Sequence, residues 1–287
     1  MRTLTSNRSP TRASIWSLLG LLLLLAATGC TGAEPAPEPT TAPAPAPKED
    51  ELVVFAAASL REAFTALGKS FEEKHAVTAL TFNFAGTQEL RTQLEQGAAA
   101  DVFASADQRH MDELARAKRV QAPALFARNE PVVVVAKEQI EKLKAFSDLP
   151  RAEKIVIGTP DVPIGRYTLQ ILDRASQSLG PKFRADVVAQ VVSRELNVRQ
   201  VLAKVMLGEA DAGIVYRTDA NNVKDPIGVL AIPAEVNVIA EYPIAVVTEA
   251  AHPTLAREWV AFVLSDAGRA ALESAGFLTL AAATDRP

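Results

Sequence analysis

The chain has 287 residues, 48% of them hydrophobic, enough to bury a large core in one domain or in two joined lobes. Its formal charge of −4, about −7 once Arg2, Arg8 and Arg12 leave with a cleaved leader, argues against nucleic acid as a partner, although oriented backbone N–H groups can still hold an anion locally. The single cysteine, Cys30, excludes a disulfide framework, a cysteine metal cluster and thiol chemistry in the folded body.

Residues 1–29 combine arginines with an apolar run over residues 18–27, too short for a membrane span, and read as an export signal. The run ends Ala26-Ala27-Thr28-Gly29-Cys30, which resembles the bacterial lipoprotein cleavage box with alanine where leucine is commoner. Cys30 is then the lipidated N-terminus and fixes the chain to a membrane. Residues 31–50 contain six prolines among Ala, Glu and Thr, a composition that builds no core. The stretch 30–50 is therefore a tether, able to reach roughly 60 Å at ~3.1 Å per residue.

From residue 51 strands and helices alternate. The apolar run 52–56 predicts a strand, the helical spacing of Leu60, Phe64, Leu67 and Phe71 a helix over 60–74, and the alternation over 77–84 a second strand. A helix over 89–96 stopped by Gly97 and a buried strand over 101–105 complete a βαβαβ unit. A second set follows: strands at 131–136 and 155–158, a helix at 167–179 closed by Gly180, another at 197–207 closed by Gly208, and a strand at 212–216. A strand at 242–247 and helices at 255–265 and 266–275 end the chain. The expected class is α/β.

Four junctions between strand and helix have the composition of anion sites, because helix N-termini present unpaired N–H groups and the positive end of the macrodipole. Ser59 follows the first strand as a cap, Gly86 and Thr87 follow the second, Pro163 and Gly165 hold a turn that leaves the Ile164 N–H free, and Asn197 caps a helix that opens with Val198. Any one of these could be a cap and nothing more.

Together the segments FAAASL (residues 55–60), FAGTQELRTQLEQGAAADVFASAD (84–107), DVPIGRY (161–167), NVRQVL (197–202), GEADAGIVYRTDA (208–220) and EYPIAVV (241–247) resemble, in order and spacing, the molybdate-binding periplasmic proteins over residues 51 to about 280. The resemblance implies a two-lobed periplasmic-binding-protein fold of type II, each lobe a mainly parallel sheet flanked by helices, with the ligand in the cleft. Lobe one would comprise residues 51–130 and 243–287, and lobe two residues 131–242, with crossings near Arg128–Pro131 and Glu241–Pro243. It implies a binding protein and not an enzyme, a monomer that delivers molybdate or tungstate to the membrane permease of an ABC importer and carries no cofactor. Residue by residue, it implies hydroxyl ligands at Ser59, Thr87 (where the family has serine) and Tyr216, and backbone N–H ligands at Ile164 and Val198. Molybdenum would enter only as the bound oxyanion, through these same residues.

Other residues carry plainer readings. His75, His110 and His252 are expected to be separate and solvent-exposed, Arg166, Arg199 and Arg217 to be surface charges, and Asp101 and Asp107 to be structural partners of nearby N–H groups. A sulfate binder remains a rival within the class. A deaminase sharing the fold would need a cysteine in the body, and a hydrolase would need a base beside Ser59 or Thr87, where no motif supplies a histidine.

Overall fold

A computed structural model describes residues 51–75, 79–278 and 280. In chain order its elements are β1 (Glu51–Ala57), α1 (Arg61–Glu72), β2 (Ala79–Ala85), α2 (Thr87–Glu95), β3 (Val102–Ala104), α3 (Gln108–Arg116), β4 (Val120–Asn129), β5 (Pro131–Val135), β6 (Ile155–Gly158), α4 (Pro163–Ser178), α5 (Phe183–Ala189), β7 (Val191–Glu195), α6 (Val198–Met206), β8 (Ala212–Tyr216), α7 (Arg217–Asn221), β9 (Gly228–Ala231), β10 (Ala240–Val247), α8 (Pro253–Leu264) and α9 (Asp266–Ser274). The expected export signal, Cys30 and the expected tether lie outside the described residues, as do Val77 and Thr78 at the start of the second expected strand.

Two five-stranded sheets result, ordered β2-β1-β3-β10-β4 and β7-β6-β8-β5-β9. Both are mixed sheets flanked by helices, of the expected α/β class. In each, four strands run one way and one runs against them: β10, between β3 and β4, in the first, and β5, between β8 and β9, in the second. The antiparallel strands arise where the chain passes between sheets. β4 continues into β5 through Glu130 alone, and the return runs through residues 232–239 before Ala240 pairs with Asn129.

Packing explains the elements. β5 is a continuous apolar run, Pro-Val-Val-Val-Val, buried throughout because helices cover both faces of its sheet. On the first sheet, Trp259 of α8 is fully buried and meets Phe64 and Phe71 of α1 edge-on, with ring centroids 5.6 and 5.3 Å apart. Helix α4 begins at Pro163, four residues before the expected start. Proline at the first helical position has a preset φ and no N–H to lose, so Pro163 and Gly165 form the first turn of the helix and not a turn before it.

Candidate functional site

One small cavity between the sheets is lined by Ser59, Thr87, Ile164, Val198 and Tyr216, so the structure brings all five expected residues together. No lysine or arginine lines it.

Each residue arrives on a strand end or helix start. Ser59 sits in the 3₁₀ turn Ala58–Leu60 that leads from β1 into α1. Thr87 is the first residue of α2, after Gly86, whose N–H is held by the Glu89 carboxylate at 2.8 Å. A Cβ on Gly86 would collide with the Leu196 carbonyl oxygen and the Gln88 amide, so the close approach of α2 to the second lobe requires glycine. Ile164 is the second residue of α4, where an N–H has no intrahelical partner. Val198 opens α6 beneath the cap Asn197, whose side chain accepts from the Gln200 N–H at 3.1 Å. Two helix starts from each lobe thus aim their positive ends at one point, a field that favours an anion.

The hydroxyls add directed donors. Thr87 Oγ1 accepts a hydrogen bond from the Ala106 N–H at 3.2 Å, which leaves its own hydrogen for the cavity. Ser59 Oγ lies 2.9 Å from the hydroxyl of Tyr242, both buried. Tyr216 is 1% exposed, and its Oη has no hydrogen-bond partner among the described residues. Burial pushes its pKa well above the ordinary phenol value, with Tyr242, Tyr167 and two carboxylates acting the same way, so the hydroxyl keeps its proton and donates. A buried unpaired hydroxyl is costly, and one aimed into a cavity lined by donors marks a place for an acceptor.

Contacts between the lobes ring the cavity. Arg166 of α4 pairs with the fully buried Asp107 at 2.9 Å, Arg109 of α3 with Asp161, Arg199 of α6 with Glu62 of α1, and the Gln88 amide donates to the Leu196 carbonyl at 2.7 Å. These arginines are not the surface charges expected of them. Arg199 also lies 3.0 Å from the fully buried Asp219, poorly aligned for a hydrogen bond, and Arg217 pairs with Glu130 at 2.6 Å. Their carboxylate partners are far apart in the chain, so sequence spacing gave no sign of them.

His110 also departs from expectation. It is fully buried, its Nε2 lies 2.9 Å from the Asp161 carbonyl oxygen, and burial draws its pKa down, which keeps the ring neutral. Its position in α3 turns it toward the lobe junction, whereas the polar residues around it in sequence suggested a surface. His75 stacks on Phe71 at 4.1 Å, and His252 lies 3.6 Å from Asp101. Among the described residues no group of three or more His, Cys, Asp or Glu is arranged to hold a metal. Asp101 accepts from the Val53 and His252 N–H groups, and Asp107 caps α3 through the His110 N–H, the structural parts expected of both.

Comparison with known proteins places this geometry. Residues 52–278 match the family model described as bacterial extracellular solute-binding protein. The molybdate-binding protein ModA of Mycobacterium tuberculosis strain H37Rv is 40% identical over 264 residues, covering 91% of this chain and 95% of the relative. The substrate-binding domain of a putative molybdenum ABC transporter from Clostridium difficile superposes with a TM-score of 0.61 at 27% identity, covering 80% of this chain and 99% of that one. The sulfate-binding protein SubI of M. tuberculosis shares the fold with a TM-score of 0.71 at 16% identity, covering 81% of this chain and 88% of that one. The chain belongs to the bacterial extracellular solute-binding proteins, and within them to the family of molybdate-binding periplasmic proteins.

Proposed function

We propose that this chain captures molybdate, and tungstate with it, outside the cytoplasmic membrane and passes it unchanged to the permease of an ABC importer. The observation that carries this reading is a cavity without lysine, arginine or carboxylate in its lining, where three hydroxyls meet the starts of helices and the Tyr216 hydroxyl has no partner among the described residues. A dianion there loses its water but finds an N–H or O–H for each oxygen. Hydrogen phosphate carries a proton that such a lining cannot accept, and burying that O–H unpaired costs ~1–3 kcal/mol. Sulfate has no proton, but its shorter bonds cannot reach all the fixed donors at once.

The expected order is molybdate and tungstate far above sulfate, with phosphate weakest. Thermal melting against the four oxyanions reads this directly, since ligand at 100 times its Kd adds ~2.7 kcal/mol of stability. Tyr216→Phe should weaken molybdate binding by ~1.5–3 kcal/mol, the range for a hydrogen bond to a charged group, and leave the fold intact. Calorimetry showing phosphate bound as tightly as molybdate, or an unchanged Kd in Tyr216→Phe, would remove the assignment. A sulfate preference would move the chain toward the sulfate binders whose fold it shares.

We also propose that Cys30, at the end of a small-residue box and ahead of a proline-rich tether, is lipidated and anchors a monomer to the membrane. Cys30→Ala should then accumulate as uncleaved precursor that takes up no labelled fatty acid. Equal labelling of both forms would count decisively against the anchor.

A further inference from the structure

Tyr242 does not line the cavity, and the role argued for it rests on the oxyanion-binding reading above. Tyr242 is in β10, fully buried, and its Oη is 2.9 Å from Ser59 Oγ across 183 residues of chain. Either oxygen could donate in that pair, and what Ser59 presents to a ligand depends on which one does. If Ser59 donates to Tyr242, the cavity sees a lone pair; if Tyr242 donates, the serine hydrogen is left for the cavity.

The surroundings of Tyr242 decide the direction. Burial pushes the Tyr242 pKa up, and hydrogen bonds with Ser59 and with the Asn129 side chain pull it the other way. Asn129 Oδ1 is occupied by the Glu130 N–H at 3.0 Å, and Nδ2 gives one hydrogen to Thr218 Oγ1 at 2.8 Å, which leaves the second for the Tyr242 side. Among the described residues the Asn129 amide thus offers the phenol a hydrogen and Ser59 Oγ offers it an acceptor, and a phenol is a stronger donor than an alkyl alcohol. A Ser59 hydrogen in turn has no acceptor except what occupies the cavity, and turning it elsewhere leaves a buried O–H unpaired. Thr87 is prepared in the same way by the Ala106 N–H.

We propose that Tyr242 is a positioning residue: it donates to Ser59 Oγ from behind, fixing the serine hydroxyl as a donor toward the bound oxyanion and strengthening it through the chain Asn129, Tyr242, Ser59. Phenylalanine at this position keeps the ring that meets Tyr216, Phe126 and Phe277 edge-on and removes only the hydroxyl.

The test is a double-mutant cycle by calorimetry with sodium molybdate on the full-length chain: wild type, Tyr242→Phe, Ser59→Ala and the double variant. Tyr242→Phe should raise Kd about tenfold, about 1.4 kcal/mol, and the double variant should bind no more weakly than Ser59→Ala alone. A merely structural Tyr242 predicts losses that add, and that result, or an unchanged Kd in Tyr242→Phe, overturns the proposal. If Tyr242→Phe melts lower, the molybdate-induced rise in Tm of the four proteins reads the same cycle. Failure of the wild type to bind molybdate overturns the binding reading and this proposal with it, whereas wild-type binding with an additive cycle overturns the proposal alone.

Discussion

Arg199→Met is expected to cost the fold about 3 kcal/mol at pH 9 and little of that at pH 5. The arginine lies 3.0 Å from Asp219, a fully buried carboxylate that also accepts the Tyr216 N–H at 3.3 Å. Burial pushes the Asp219 pKa up to about 7, against the pull of Arg199 and of that N–H. The folded chain thus holds this proton up to about pH 7 and the unfolded chain only to about pH 4, so the stability this gives is full below pH 4 and is lost as pH rises through 7. Above pH 7 the carboxylate is ionised and depends on Arg199. Removing the cation leaves a buried charge without compensation, which costs about 3 kcal/mol at the low end of such cases, or forces protonation at a higher pH. Below pH 7 the acid is neutral with or without the arginine, and what remains is the partly exposed bridge to Glu62, worth about 1 kcal/mol. Urea denaturation followed by circular dichroism at both pH values measures the difference. Equal losses at pH 5 and pH 9 would show that Asp219 is not the charge at stake.

Gly165→Ala is the second large effect. A Cβ at this position would stand 2.5 Å from the Gly158 carbonyl oxygen and closer still to that of Thr159. Both obstacles are backbone, so no side-chain rotation relieves the overlap. The first turn of α4 would have to withdraw from the end of β6, at about 3 kcal/mol, the upper end for overpacking, or about 10 °C in Tm. The same shift carries the Ile164 N–H away from the cavity, so molybdate should no longer raise the melting temperature of whatever folds. Ile164→Val, which changes only a side chain, should keep that response. A Gly165→Ala protein that melts and binds like wild type would mean that α4 seats itself differently.

Much of this was legible in the sequence, for reasons that differ along the chain. The strand β5 announced itself as an unbroken apolar run, and α1 through Phe64, Leu67 and Phe71 at helical spacing, because in both cases local pattern and burial agree. β4 escaped notice: Ala122 at φ +46°, Pro123 and register shifts in its pairing with β10 break the alternation that marks a strand. β7 is a half-exposed edge strand of five residues, too short and too polar to stand out. Of the residues lining the cavity, Ser59, Thr87, Ile164 and Val198 stand at strand-to-helix junctions whose composition is itself a signal. The roles of Arg199 and Tyr242 were not legible, because each depends on a partner from a distant part of the chain, Glu62 for one and Ser59 for the other.

The packing of Trp259 gives the molecule an uneven optical signature. It is the only tryptophan among the described residues, Trp16 lying outside them, and its indole is wholly shielded from water beside Phe64 and Phe71. Residues 131–239, which carry the whole second sheet, contain no tryptophan. Intrinsic emission therefore reports on one lobe alone: its red shift during denaturation records water reaching the α1–α8 side of the first sheet, and a second lobe that came apart earlier would pass unseen by fluorescence while registering in the far-ultraviolet dichroism.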